Sequence, residues 1–388
     1  MGGDRKMWRR LHLLGGVIVA FSCYLCCWLT SNVVHAEAAV APKAAVISRN
    51  NNNNFTVAAY LPEWRYEGAN FVSICQTVTQ LILFSLEVEP TGQLSIPSLT
   101  DRLPRTELMI DARMATRDAG AQLLVCIGGN GRSGGFSQAV STSTRRQRFV
   151  NDLVLLCDKY DLDGIDLNWE YPGFSFGSGY SDDAIVRNDY TGLRLLLQLL
   201  HTAFESKGRV ITIAYYPDGR QEMLLAEYGL DKYVVNMHAM AYDQSPGQHS
   251  TYDLAQKVAR QGVSLLPSTS HHRITLGLPF YGRHVHTGEW KSYEDIVQQL
   301  PTPWAKQNEV HGYYYNGPEL IKRKTRLAIE LGLGGVMIWE VGQDCRVHAI
   351  THGLTTHGVT CPYGEDSSLL TAIRRGLSIQ ESAVKIEL

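Results

Sequence analysis

From Phe55 onward, short runs of apolar and β-branched residues alternate with amphipathic segments. The strand-like runs are "FTVAAY" (55–60), "QLILFSL" (80–86), "QLLVCI" (122–127), "GIDLNW" (164–169), "VITIAY" (210–215), "YVVNMHAMAY" (233–242), "RITLGL" (273–278) and "GGVMIW" (334–339). Between them apolar residues recur at spacings of three and four, most clearly over 143–160, 189–206, 251–261 and 317–331, which predicts helices. This alternation predicts an α/β fold, a parallel (β/α)8 TIM barrel. An open doubly wound sheet usually carries a Gly-rich nucleotide loop after its first strand, and none follows Tyr60.

In such a barrel, chemistry belongs at the carboxyl ends of the strands. Polar and aromatic residues gather there: Glu63 and Trp64 after the first strand, "GGNG" (128–131) after the third, Asp166 to Tyr171 on the fourth, Tyr242 and Asp243 after the sixth, Trp339 and Glu340 after the eighth. The stretch 281–316 carries Trp290, Trp304 and Tyr313 to Tyr315 and is longer than an ordinary connection, so a small flap or rim over the site is expected.

The fourth strand holds "DGIDLNWEYP" (163–172). Side chains two apart share a face, so Asp166, Asn168 and Glu170 should rise inside the barrel while Ile165, Leu167 and Trp169 face the helices. Burying such a row is costly unless its members hydrogen-bond one another, an arrangement that raises carboxyl pKa values and can keep Glu170 protonated as an acid. A satisfied polar network without chemistry is one alternative. A metal site of acidic and amide oxygens is another, but supporting ligands are lacking.

These residues carry a resemblance. "DGIDLNWEYP" resembles the DxxDxDxE signature of glycoside hydrolase family 18, the chitinases and their lectin-like relatives. "VCIGGNG" (125–131) is similar to that family's third-strand SxGG element with Cys126 in place of serine, "MAYD" (240–243) matches its MxYD element, and "GGVMIWEVGQD" (334–344) resembles the end of its eighth strand. The resemblance implies hydrolysis of β-1,4-linked N-acetylglucosamine, in chitin, chito-oligosaccharides or an N-glycan core, with the substrate's acetamide as nucleophile. Glu170 is then the acid. Asp166, Asn168, Tyr242 and Asp243 complete the catalytic set, with Tyr242 on the acetamide and Asp243 near the reacting sugar. Trp339 is the floor beneath that sugar, and Trp64, Tyr171, Gly128, Gly129, Met240 and Asp163 are candidate substrate contacts. No cofactor is implied.

Asn168 departs from the family pattern, which has aspartate there. Its carbonyl can accept the acetamide N–H, but the side chain carries no charge and exchanges no proton. An Asn-x-Glu pair is also what the endo-β-N-acetylglucosaminidases of glycoside hydrolase family 85 use with the same chemistry. A weakly active or inactive lectin using the same cleft, and a structural or quality-control protein of the secretory pathway, are the competing readings.

Composition narrows the setting. The 388 residues, 44% of them hydrophobic, suffice for a large core. Arg5, Lys6, Arg9 and Arg10 precede an apolar run from Leu11 to Leu29 and a small-residue ending at Ala36, the order of a secretory signal peptide (residues 1–36); an uncleaved anchor is the alternative. Cleavage after Ala36 removes four basic residues and one acidic, taking the formal net charge from −2 to −5. Nucleic acid and anionic membranes are thereby disfavoured as partners, and a cleaved leader leaves no stable membrane insertion. An asparagine-rich linker over 37–54 ends in the sequon at Asn54, ahead of a barrel expected over 55–378 and a tail over 379–388. The final residues Lys385-Ile386-Glu387-Leu388 resemble the KDEL-type signal read by the retrieval receptor of the endoplasmic reticulum. Either the lumen of that compartment or the extracellular space is the expected location. Cys345 and Cys361 flank a short loop and are the expected disulfide, while Cys126 and Cys157 sit in apolar contexts that suit buried thiols.

Overall fold

The computed structural model describes residues 55–243, 247–300, 307–352 and 355–384. The leader, the linker with Asn54, Trp304 and the KIEL ending lie outside them. Eight parallel strands close into a barrel: β1 (Thr56–Pro62), β2 (Gln80–Leu86), β3 (Gln122–Gly128), β4 (Gly164–Asn168), β5 (Val210–Tyr215), β6 (Asn236–Ala239), β7 (Ile274–Pro279) and β8 (Gly335–Trp339). Each strand pairs with its neighbours in sequence, and β1 closes the ring on β8. The protein is a (β/α)8 TIM barrel, as the alternation predicts.

The period of two divides the apolar residues between two cores. On β2, Leu81 and Leu83 face the helices and join the large outer cluster. Ile82 and Phe84 face inward, where they meet Ala58, Tyr60, Leu124, Cys126 and Met337. Helices cover the outer face. Over Ser143–Tyr160, Phe149, Val150, Leu153, Leu156 and Cys157 form the buried stripe, the Thr142 hydroxyl accepts the Arg145 N–H at the start, and Asp161 ends the helix with φ 53°.

The structure departs from the sequence expectation at one strand. β6 spans Asn236–Ala239 rather than 233–242, because Leu230–Tyr233 is a 3-10 turn and the chain folds over itself after Ala239, with the Tyr242 N–H on the Met240 carbonyl at 2.9 Å. That early exit turns Tyr242 and Asp243 over the barrel mouth. The helices over Thr106–Asp118 and Arg220–Glu227 fill connections where the apolar spacing is less clear, because Ala112, Ala115 and Thr116 beside Leu108 and Met109, or Gln221 and Glu222 beside Leu224 and Leu225, blur the buried stripe. Between β7 and β8 stands the expected rim, a four-stranded antiparallel sheet (Tyr281–His284, Trp290–Ser292, Glu309–Val310, Tyr313–Tyr314) with a short helix, Tyr293–Val297.

The expected Cys345–Cys361 disulfide is present, with Cα atoms 4.9 Å apart. Cys126 and Cys157 are buried thiols. Among the described residues no helix is long and apolar enough to cross a membrane.

Candidate active site

β4 and β8 face each other across the ring, so the ends of these strands bring Glu170 and Trp339 to opposite sides of one cleft. Its volume is about 550 Å³, within the range of small-molecule sites. Trp339 packs edge-on against Phe84, centroids 4.7 Å apart, and against Tyr60 at 5.5 Å, which fixes its ring as a floor. Trp64, Tyr171, Met240, Tyr242 and Asp243 also line the cleft, as expected.

The order of the inward row is only partly the expected one. The Asn168 amide Nδ2 donates to Glu170 Oε1 at 3.1 Å, while its Oδ1 is buried and has no hydrogen-bond partner among the described residues. Asp166 does not join them. It is fully buried and accepts from Tyr60 Oη at 2.8 Å and from Thr212 Oγ1 at 2.6 Å. The cause is strand geometry: neighbours on adjacent strands lie closer to a short Asp side chain than residues two steps along its own.

Burial pushes the Glu170 carboxyl up to about 7, against the opposing pull of the Asn168 amide and the Asn130 backbone N–H. The group is therefore poised as an acid near neutrality. Asp243 behaves oppositely. Burial pushes it up, but His249, Arg283 and Tyr281 more than offset this and hold it well below the ordinary carboxylate range. The Arg283 guanidinium grips both its oxygens at 3.0 Å, the Tyr281 hydroxyl donates at 2.7 Å, and φ at Asp243 is +56°. Glu340, beside Trp339, is also buried and pushed up to about 7, with Arg65 opposing.

Three candidate sugar contacts are corrected by the structure. Gly128 and Gly129 do not line the cleft. They have φ near +102° and +103°, and a Cβ there would stand 2.4 Å from the Asn168 carbonyl oxygen or from the Phe84 ring. Their role is to let the β3 loop close on β4, where the Gly129 N–H donates to the Asn168 carbonyl at 2.7 Å. Asp163 precedes β4 at the amino end of the barrel, where it accepts the Leu123 N–H at 2.7 Å and pairs with Arg113. It is far from any strand's carboxyl end. Asp163→Ala should cost about 1–3 kcal/mol in urea unfolding and leave kcat and KM unchanged.

Other cleft residues escaped the sequence reading. Tyr60 and Phe84 occupy inward positions that strand alternation identifies, but residue type alone does not mark them as functional. Arg283 lies two residues beyond Tyr281 on the first rim strand, hence on the same face, and that spacing is a signal. Arg132, paired with Glu63 at 2.6 Å, left no such signal, while Asn130, inside the expected "GGNG" end, acts on Glu170 through its backbone. Among the described residues no group of His, Cys, Asp or Glu is arranged to hold a metal ion.

The sequence profile of glycosyl hydrolases family 18 matches residues 56–344, which spans the whole barrel and every cleft strand. The chain belongs to glycosyl hydrolases family 18. Similar proteins include Probable chitinase 10 of Drosophila melanogaster, 22% identical over 75% of this chain and 15% of that protein. Endochitinase 1 of Metarhizium robertsii is 25% identical over 57% of this chain and 61% of its own length. The match thus leaves much of both relatives uncovered. A chitinase structure from Bacteroides thetaiotaomicron superposes with a TM-score of 0.65 at 22% identity, covering 83% of this chain and 96% of that one. In this family 18 chain, then, Glu170 is buried in the cleft and hydrogen-bonded to the amide of Asn168.

Proposed function

We propose that the protein hydrolyses β-1,4 linkages of N-acetylglucosamine, with retention of configuration and with the substrate's own acetamide as nucleophile. The observation that carries this reading is the Asn168 side chain, which lines the cleft, donates to Glu170 through Nδ2 and keeps a buried Oδ1 without a hydrogen-bond partner among the described residues. One amide can thereby hold the acid and accept the acetamide N–H together. Chitinase relatives support the same substrate class.

In this mechanism Glu170 gives its proton to the glycosidic oxygen. The acetamide carbonyl oxygen attacks the anomeric carbon as the bond to the leaving group breaks, giving an oxazolinium ion above Trp339. Glu170, now a carboxylate, takes a proton from water as that water adds to the anomeric carbon and the bond between this carbon and the acetamide oxygen breaks, which opens the ring, returns the neutral acetamide and restores the acid. Tyr242 and the strongly anionic Asp243 bind the acetamide and the reacting sugar.

The Asn-x-Glu pair gives weight to a second substrate, the chitobiose core of N-glycans. Incubation with chitin oligomers and with a high-mannose glycopeptide, followed by mass spectrometry and by NMR of the first-formed anomer, tests both. Retention on either supports the mechanism; inversion overturns it. Binding of both without turnover leaves the lectin reading.

The pH dependence follows from the acid. Its protonated form is the working one and burial pushes its pKa in the free protein up to about 7, so kcat/KM should be high below pH 7 and fall about tenfold per unit well above it. A profile still rising at pH 9 would exclude Glu170 as the acid. We further place the protein in the secretory pathway, on the leader and the KIEL ending.

A further inference from the structure

Behind the turn that carries Tyr242 and Asp243 lies a buried lysine to which the mechanism above gives no task. Lys324, on the inner face of the helix Pro318–Glu330, has no exposed surface. Its Nζ lies 2.8 Å from the Ser250 carbonyl oxygen, 2.8 Å from Ser250 Oγ and 2.6 Å from Asn316 Oδ1. The protons of this cluster can be assigned. The Ser250 hydroxyl spends its single proton on the Ala241 carbonyl at 2.9 Å, so Oγ accepts from the lysine. The Ser250 carbonyl can only accept, so Asn316 presents Nδ2 to it at 2.9 Å and turns Oδ1 to the lysine. Three acceptors thus face Nζ. An ammonium has three N–H groups to meet them, whereas a neutral amine has two and would aim its lone pair at an oxygen.

We propose that Lys324 is a positioning residue for the proposed hydrolysis: as an ammonium it clamps Ser250, whose hydroxyl pins the Ala241 carbonyl, and the turn over 239–242 is thereby held so that Tyr242 and Asp243 stand over the reacting sugar. The proposal rests on the functional reading above. Within the turn the bonds are short-range: the Ala241 N–H donates to the Ala239 carbonyl and the Tyr242 N–H to the Met240 carbonyl, each at 2.9 Å. The segment 249–250 grips it from outside at two points, Ser250 on the Ala241 carbonyl and His249 Nδ1 beside Asp243 Oδ1 at 3.2 Å. Lys324 fixes that segment from behind. Burial drives the lysine pKa well below its ordinary value, and the three oxygens, which stabilise the charged form, oppose this. The ionisable groups on this side of the barrel do not take the charge away: Asp243 is already gripped by Arg283, and burial pushes His249 down toward the neutral ring, with Asp243 opposing.

Two measurements on the intact protein test this. Nitrogen-15 NMR of lysine-labelled protein at neutral pH should show one Nζ bearing three slowly exchanging protons, and Lys324→Met should remove that signal. A neutral amine at Lys324 overturns the proposal. Lys324→Met, similar in length and without donors, should lower kcat/KM on chitin oligomers by about 10–100-fold, the scale on which misplaced groups cost rate. Ser250→Ala, which removes the hydroxyl relay and keeps the lysine, should lower it in the same direction, and it carries the test if Lys324→Met does not fold. In a Tyr242→Phe background either change should cost clearly less than in the unsubstituted protein, because the group being positioned is already gone. The same factor in both backgrounds would mean a merely structural role and overturns the proposal. Absence of turnover in the unsubstituted protein would instead sink the hydrolase reading alone; the same cycle is then read on the Kd for chitin oligomers by isothermal titration, where equal factors again overturn the proposal.

Discussion

Glu170→Gln is expected to lower kcat on chitin oligomers by about 10²–10⁴-fold, the usual worth of a positioned general acid, while the Kd for the same oligomers changes only a few-fold. The site explains the split. Gln keeps the shape of the carboxyl and still offers a carbonyl oxygen to the Asn168 amide and the Asn130 N–H that hold Glu170 in place. It has no proton of suitable acidity to give the glycosidic oxygen. In the proposed function sugar binding draws on Trp339, Tyr242 and the Arg283-gripped Asp243, whose own contacts do not include the Glu170 carboxyl proton. Isothermal titration with the oligomer, run beside initial rates, separates the two effects. Turnover retained in the variant would mean that another group is the acid, and buried Glu340, across the cleft and also raised to about 7, would be the first to test.

How much of this was legible in the sequence depends on which physical signal each residue leaves. β2 and β5 coincide with their apolar runs, because both faces of these strands are buried, and the pattern has sharp polar ends. The helix at Thr106–Asp118 is less distinct because Ala112, Ala115 and Thr116 share its inner face with Leu108 and Met109 and weaken the hydrophobic contrast. The same logic divides the site. Period-two spacing shows the inward direction of Asn168 and Glu170, and the end of the eighth strand shows the place of Trp339 in the cleft. Asp166 declared its position but not its partners, since Tyr60 and Thr212 reach it from other strands and only the closed ring sets that register. Asp163, in the same short motif, sits outside the cleft because the motif is longer than the part of the strand that meets it. Backbone donors such as the Asn130 N–H cannot be read from side-chain chemistry at all.

Asn168→Asp tests the role proposed for this position most directly, and the geometry fixes the direction of two changes. An aspartate has no N–H to give Glu170, so the contact that now lowers the acid's pKa is lost, and a carboxylate in that place adds a negative charge beside it. Both effects raise the Glu170 pKa. The basic limb should therefore move above pH 7, and because two carboxyls now share one buried site their titrations will couple, giving macroscopic values that belong to the pair. On chitin oligomers the new charge beside the oxazolinium should raise kcat by about tenfold or more, with the 10²–10³ that one electrostatic stabiliser is worth as the upper bound. A glycopeptide core separates the alternatives. If the native protein cleaves the core well and Asn168→Asp slows it, the neutral amide is the working part, holding the acetamide through Oδ1 and the acid through Nδ2 at once. Equal kcat for both proteins on both substrates would show that position 168 does not stabilise the intermediate, and the unpartnered carbonyl in the cleft wall would need another ligand group to account for it.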